Sequence, residues 1–592
     1  MNDLRSALGA YGSVIRSQQE AGKEHEPTAT EYFAVSSKTL GKASEQSPDF
    51  LVSTLRIMEA VIPQAAKPIV RGQFKAVSTS LLEIITQSAD EPKLLRVSMV
   101  ALGTLLCAQD MSDGYWGNVQ PLQCLNTILI MLEDSNAKLR KVAEDQIMAL
   151  LRQHKLHKVK AVRAYVADFC FAILKSCTRS DYRRSLYIVL FLESSMALLA
   201  TGENRPKQYL DTLLSLQTCQ QAVLTAASFR TIDAYFQSPH YDADTTQTAV
   251  CYQTLVETRN TSVDMEANTY RYLGLGSGFV LLHKMDARLA RTVLKKTCQA
   301  LTSGCEGEFL QIHDAVGAGF KRVIGECINR EMVQEAIQAA DKKQQQQGQG
   351  GKEEKTFVGV VVHALEELLQ IKYKAAWLHV LGACKKLLEA VLYLTGSSSG
   401  GESLSCGALL APLVRQLAGV YQLVEANSIA VDVSTHLTMG ETLGAALRCV
   451  GFTEFLQIVP LRAGVATPDY MAIDTAREWL LPLLHSNLKL MRCSLCDYAI
   501  VVLPMVEVCR DAVARPADLQ LNSSQVALIK ARIMQLLSLF PDFCHLGTSD
   551  LVSFFPRLLP ELTAALQNES KDGMNSAQHI LTGIAQLANV VH

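Results

Sequence analysis

The sequence predicts an all-α protein built as a helical-repeat solenoid, and three observations lead there. The chain has 592 residues, several times what one hydrophobic core serves, so it is either several domains or one repetitive body. Hydrophobic residues make up 48% and aromatic residues only 6%, a balance that suits stacked aliphatic helices better than a set of sheet domains. Apolar residues recur at helical spacing in segment after segment, joined by short turns. Each segment is apolar around too much of its circumference to stand alone, so neighbours must cover one another.

Taken in order, residues 1–48 are polar and weakly periodic around SQQEAGKEHEPT, and are expected as a flexible arm or a degenerate first helix. An N-terminal repeat block is placed at 49–340. Its first helices are predicted over 50–62, 74–87, 93–107, 121–133, 137–152, 162–176 and 182–200 from the spacing of their apolar residues. The run DKKQQQQGQGGKEEK, from Asp341 to Lys355, lacks the apolar content to order itself and is read as a low-complexity linker at 341–356. A second repeat block takes 357–592, interrupted by a flexible loop at 395–405, where the sequence is TGSSSGGESLS.

Four windows share an internal pattern: Asp90 with Arg96, Asp134 with Arg140, Asp286 with Arg291, and Ser486 with Arg492, each expected to be followed by an amphipathic helix. The clearest is DSNAKLRKVAEDQIMALL, from Asp134 to Leu151. It resembles the second helix of a HEAT repeat, in which an Asp in the turn caps the helix and an Arg one to two turns on bridges back to the neighbouring turn. The fold class is therefore HEAT/armadillo-like. That assignment predicts Leu139, Val142, Ala143, Ile147 and Leu150 buried, with Lys138 and Lys141 exposed.

Charge and cysteine usage narrow the function classes. Lys and Arg number 56 against 58 Asp and Glu, a net charge of −2, so no global field draws the chain onto nucleic acid or an anionic membrane, and any basic surface is local. Sixteen unevenly spaced cysteines read as reduced thiols of an intracellular protein, not as a disulfide framework. The most apolar windows, Tyr187 to Ala200 and Cys406 to Val424, are broken by Glu193 and Arg415, and Met1 to Ala10 has no apolar leader core. No membrane partner and no obligate homo-oligomer are expected.

Catalytic signatures are missing from the sequence. GLGSGF, from Gly274 to Phe279, lacks a preceding strand and a following Lys-Ser or Lys-Thr, and reads as a tight helix crossing or a turn. Cys493 and Cys496 form a lone CxxC without a second pair, and His154 with His157 lacks accompanying ligands. No enzyme activity, cofactor or metal is expected.

One local charge feature points to binding. RQHKLHKVKAVR brings together Arg152, Lys155, Lys158, Lys160 and Arg163, and a smaller cluster follows at Arg179, Arg183 and Arg184. Together they are expected to line one ridge that meets phosphates of structured RNA in a salt-sensitive, sequence-tolerant way. Only Tyr165 and Tyr182 lie nearby to stack on bases.

A more specific indication comes from an ordered set of strings: YKAAW (Tyr373 to Trp377), EFLQIVPL (Glu454 to Leu461), AREWLLPLL (Ala476 to Leu484), Leu503-Pro504, and ARIMQLLSLFPDFC (Ala531 to Cys544). Their succession resembles the ribosomal-RNA-processing protein twelve family, HEAT-repeat ribosome-biogenesis factors of the nucleolus and nucleus. The resemblance is strongest over 357–590 and fainter but colinear over 50–340. It implies a non-enzymatic factor that associates with pre-ribosomal RNA, assembly factors and early pre-ribosomal particles, chiefly small-subunit precursors. Roles in maturation and nuclear export follow, with Ran and nucleoporins as further partners and shuttling to the cytoplasm. Family members usually run longer, with further repeats and a basic tail, so functions of those parts are not carried over. The competing reading is a karyopherin-like transport receptor that binds Ran and cargo, distinguished by a preference for Ran with GTP. No binding residue is taken from the resemblance; the basic clusters are read from charge.

Overall fold

A computed structural model of the chain describes residues 2–544 apart from 19–24, 89, 154–158, 201–204, 240–243, 259–263, 346–355, 397–404, 462–476, 492 and 517–520; beyond Cys544 it describes 556, 559–560, 563, 567 and 577–586. The described secondary structure is helical, without a strand. Two compact units divide the chain, Met1–Gly274 and Leu275–His592.

The first unit begins with α1 (Asn2–Gln18), α2 (Ala29–Leu40), α3 (Pro48–Val61), α4 (Lys67–Gly72) and α5 (Phe74–Gln87). Next come α6 (Pro92–Cys107), α7 (Asp113–Trp116), α8 (Val119–Ile130), α9 (Ala137–Leu151) and α10 (Lys160–Lys175). It continues through α11 (Tyr182–Leu199), α12 (Arg205–Ser215), α13 (Ala222–Gln237) and α14 (Thr245–Glu257) into α15 (Met265–Met285), within which the unit boundary falls. Helices α3, α6, α9, α11 and α13 pack in succession as one layer, and α5, α8, α10, α12 and α14 as the other. All seven helices expected between 50 and 200 form within a few residues of the predicted bounds.

The second unit contains α16 (Ala287–Ser303), α17 (Leu310–Cys327), α18 (Arg330–Gln345), α19 (Phe357–Leu368), α20 (Trp377–Gly396) and α21 (Gly407–Glu425). It goes on with α22 (Val433–Val450), α23 (Phe452–Ile458), α24 (Leu480–Leu488), α25 (Leu495–Asp497), α26 (Leu503–Ala514) and α27 (Ser523–Ser538). Here α17, α20, α22 and α24 stack as one layer, and α16, α19, α21 and α23 as the other. By length and composition α21 is apolar enough to cross a membrane, yet Leu410, Leu413, Val414 and Leu417 are fully buried in this stack.

Several hydrogen bonds that cross between hairpins span close to one repeat. They join Tyr11 to Thr54 (43 residues apart), Lys93 to Asp49 (44), Thr231 to Val189 (42), Lys284 to Glu326 (42), Arg291 to Glu335 (44) and Thr453 to Asp497 (44). A spacing of 42–44 lies inside the range of about 40–47 residues typical of HEAT and armadillo repeats.

Helix α9 accounts for its own burial. Leu139, Ala143, Ile147 and Leu150 are buried, Val142 is half-buried, and Lys138 and Lys141 are exposed, so one apolar stripe faces neighbouring helices. Each buried Leu or Ile contributes about 1.5–3 kcal/mol. The turn before it differs from the expected cap. Asn136 caps the helix, accepting from the Lys138 amide at 3.0 Å, while Asp134 accepts from the Asn136 amide at 2.6 Å. Arg140 then bridges back as expected: its Nη1 donates to the carbonyls of Asp134 (2.8 Å) and Ser135 (2.9 Å), and its guanidinium lies 3.8 Å over the Tyr187 ring of α11.

The other windows divide. Asp286 caps α16, accepting from the amides of Arg288 and Leu289 at 2.9 and 3.0 Å, and Arg291 reaches Glu335 on α18. Asp90 does not cap α6, whose N-cap is Glu91 followed by Pro92, and Arg96 bonds the Pro92 carbonyl within its own helix. Ser486 lies inside α24, and Arg492 lies outside the described residues.

Residues 1–48, expected as an arm or a degenerate helix, carry α1 and α2 with Ala7, Tyr11, Ile15 and Phe33 buried. These two helices bury a narrow apolar stripe within polar sequence. The expected linker at 341–356 falls on the end of α18, on 346–355, which lie outside the described residues, and on Thr356, the N-cap of α19. Packing places the division of the chain at Gly274 and Leu275. The expected loop at 395–405 begins with the last turn of α20, and 397–404 are likewise outside the described residues.

GLGSGF lies within α15 and marks a helix crossing, one of its two expected readings. A Cβ on Gly276 would sit 2.8 Å from the Cα of Gly319 on α17, and Arg322 of α17 donates to the Ser277 hydroxyl. Cys493 lies just before α25 and is buried, which pushes its thiol up to about 12.

Candidate nucleic-acid interface

The first basic cluster gathers around the connection from α9 to α10. Arg152 is the C-cap of α9 and is exposed; a cation there is favoured by the helix dipole. Lys160 opens α10, exposed, at the end where the dipole disfavours a cation, and Arg163 lies one turn on, half-buried. A carboxylate oxygen of Asp113 accepts from the Ala161 amide at 3.3 Å, so one acidic group borders these cations. Lys155 and Lys158, with His154 and His157, fall on 154–158, outside the described residues.

The second cluster lies at the other end of α10. Arg179 is exposed in the connection to α11, and Arg183 and Arg184 occupy the first turn of α11. Arg184 is engaged internally: its Nε pairs with Glu133, its Nη1 lies 3.7 Å from Asp181, and hydrogen bonding and charge from Glu133 hold its guanidinium above its ordinary pKa. The 16 residues of α10 span about 24 Å. Arg152 thus stands at the end of α9, Lys160 and Arg163 in the first turn of α10, and Arg179, Arg183 and Arg184 beyond the other end of α10, a helix length from its first turn.

The second unit holds features the sequence did not announce. A groove of about 430 Å3 is lined by Lys385 of α20, Tyr421 of α21, His436 and Arg448 of α22, and Trp479 and Asn487 at α24. His436 stacks on Tyr421 with centroids 5.3 Å apart and an interplanar angle of 14°, and Trp479 meets Tyr421 edge-on at 4.9 Å. Lys385 pairs with Glu441 at 2.8 Å, and His436 with Glu425 at 2.7 Å, while Arg448 bonds the neutral Asn487 amide oxygen. Burial first, then Glu425, raises the Tyr421 hydroxyl above its ordinary pKa. A second groove of about 630 Å3 lies between the starts of α17, α20 and α22, lined by Leu310, Lys374, Leu378, Asp432 and Ser434. Trp479 of the first groove falls inside AREWLLPLL and Lys374 of the second inside YKAAW; the other named residues converge from helices far apart in the chain.

Among the described residues no three His, Cys, Asp or Glu side chains gather as a metal site. Both grooves offer apolar and charged contacts, and the first adds aromatic ones, the equipment of a binding surface.

Comparison with known proteins covers both units. A family model described as RRP12-like, N-terminal HEAT repeats, matches residues 4–243, and a second, Ribosomal RNA-processing protein 12, HEAT repeats, matches residues 308–589. Ribosomal RNA-processing protein 12 of Saccharomyces cerevisiae is 26% identical over 212 residues, which is 31% of this chain and 17% of the relative, so the match spans a minor part of that protein. Among solved structures, Kap121p bound to RanGTP aligns with 99% of this chain and 61% of its own at 12% identity and a TM-score of 0.46. Importin beta, crystallised in an ammonium sulfate condition, aligns with 99% of this chain and 77% of its own at 10% identity and a TM-score of 0.39.

Proposed function

Because this chain belongs to the RRP12-like family of HEAT-repeat ribosomal-RNA-processing proteins, we propose that it serves ribosome biogenesis as a binding scaffold without catalytic activity. The observation that carries this reading is that two models of one family match the two parts of the chain in order. In the finer version, the protein associates with precursors of the small subunit in the nucleolus and nucleus, alongside assembly factors, and follows them into export with Ran and nucleoporins as partners.

Its action is steric and electrostatic. Stacked helical hairpins present long ordered surfaces, and exposed Arg152 and Lys160, with Arg163 beside them, meet phosphates of precursor RNA. Arg183 adds a contact a helix length away, whereas Arg184 is held by Glu133 and Asp181 and acts mainly within the fold. Release follows when remodelling of the particle removes the geometry that both clusters engage.

Ultraviolet crosslinking of the tagged protein in cells, with sequencing of the attached RNA, tests this. Enrichment of precursor ribosomal RNA that falls when Arg152, Lys155, Lys158, Lys160 and Arg163 are reversed in charge supports both the function and the contact. Enrichment that survives reversal keeps the function and discards the contact. Absence of ribosomal RNA, joined to capture of Ran with GTP, overturns the reading in favour of a transport receptor.

A further inference from the structure

Sixteen free thiols are spread through the chain, and most are buried singly. One pair is placed differently. Cys177 lies in the connection after α10, and Cys219 in the short 3-10 helix Leu216–Cys219 after α12, 42 residues later and so one repeat on. Their sulfurs are 3.5 Å apart, with the Cys219 thiol donating to the Cys177 sulfur. The segments are already tied together two residues further along, where the Gln221 side-chain amide donates to the Arg179 carbonyl at 3.3 Å. Cys219 is buried, whereas Cys177 is half-buried and reaches solvent.

We propose that Cys177 and Cys219 are a reversible disulfide site, oxidised by a hydroperoxide, that staples two consecutive repeats at one edge of the first unit. The Cys177 thiolate attacks the peroxide oxygen: an S–O bond forms, the O–O bond breaks, and the alcohol or water leaves, giving Cys177 sulfenic acid. The Cys219 sulfur then attacks the Cys177 sulfur. An S–S bond forms, the S–O bond breaks, and water departs with the Cys219 proton, so two thiols and one hydroperoxide yield one disulfide, one alcohol or water, and one water. A thiol reductant reverses the step by exchange.

Access assigns the order. Cys177 meets solvent and is oxidised first; Cys219, its sulfur 3.5 Å away, resolves the intermediate. The second close pair provides an internal control. Cys406 and Cys449 have sulfurs 3.8 Å apart but are both buried, and Cys406 is also bonded to the Cys449 carbonyl at 3.1 Å.

The full chain, reduced and then exposed to hydrogen peroxide, is alkylated, digested and read by mass spectrometry. A peptide crosslinked through Cys177 and Cys219 is expected, reversed by dithiothreitol, and formed on the order of tenfold faster than a Cys406–Cys449 link because only the first pair has an accessible member. Cys219→Ser is expected to leave Cys177 as a sulfenic acid trapped by dimedone. Overoxidation of Cys177 without a crosslink in the unaltered chain, or a Cys406–Cys449 link forming first, overturns the proposal. The unaltered chain alone decides the first point, so a variant that folds poorly does not remove the test.

Discussion

Gly276 and Gly319 meet where α15 crosses α17, and the space between them is set by backbone on both sides. A Cβ at Gly276 would come within 2.8 Å of the Gly319 Cα, and no flexible side chain stands there to yield. Gly276→Ala is therefore expected to destabilise the second unit by about 1–3 kcal/mol, the usual cost of overpacking. Gly9 in α1 has open space around it, so Gly9→Ala should instead stabilise by about 0.5–1 kcal/mol through helix propensity. Urea midpoints of the two variants check both signs. A second residue-scale effect concerns protons. His313 is buried, and that burial holds its imidazole below its ordinary value of 6.5 despite carbonyl contacts from Gly307 and Ala375; His283 is lowered by burial as well. Just below pH 6.5 the unfolded chain then binds more protons than the folded one, so stability is complete above that pH and declines as pH falls through it. His313→Gln is expected to flatten the slope of urea midpoint against pH between about 7 and about 5, a window above most carboxylate titrations.

Among the elements, the turn into α9 carries the sharpest expectation. Arg140 satisfies two carbonyls of its own turn and covers Tyr187 on α11, joining a local device to a neighbouring repeat. Arg140→Ala should lower stability by about 1–3 kcal/mol, and Arg140→Lys should recover only part, because an ammonium lacks the planar fork that serves both carbonyls and the ring. Thermal unfolding of the pair would separate the outcomes, and full rescue by Lys would reduce the device to simple charge. This turn also marks how far the sequence could be read. Helices between 50 and 200 were legible because their apolar stripes repeat strongly, and Arg140 was legible because it acts within its own turn. The cap was misassigned by two residues, since Asp134 and Asn136 share the work and either type suits the position. The first 48 residues were legible only as an arm or a degenerate first helix, because α1 and α2 bury a narrow stripe within polar sequence. The basic clusters were legible as charge but not as surface: Arg184 is claimed by Glu133, 51 residues earlier, a partner that no local spacing reveals.

At the scale of the molecule, the net charge of −2 bears on the RNA contact proposed above. With no global field, that contact would draw its affinity from a local group of cations, joined by aromatic and apolar contacts that salt does not screen. Counterion release then predicts a shallow dependence. If three or four phosphates are neutralised around Arg152, Lys160 and Arg163, the logarithm of the binding constant for a structured precursor RNA should fall against the logarithm of salt with a slope of about −3. Reversing Lys160 should lower that slope by about one and weaken all sequences alike, because a phosphate contact positions without specifying. A slope near −10, of the kind extended basic surfaces give, would mean that the first cluster is not the main site and that most of the charge contact lies elsewhere. A slope near zero would move the contact to uncharged chemistry, and the groove of Tyr421, His436 and Trp479 would become the next surface to alter. Filter binding across a salt series, with the Lys160→Glu variant beside the unaltered chain, distinguishes the three outcomes.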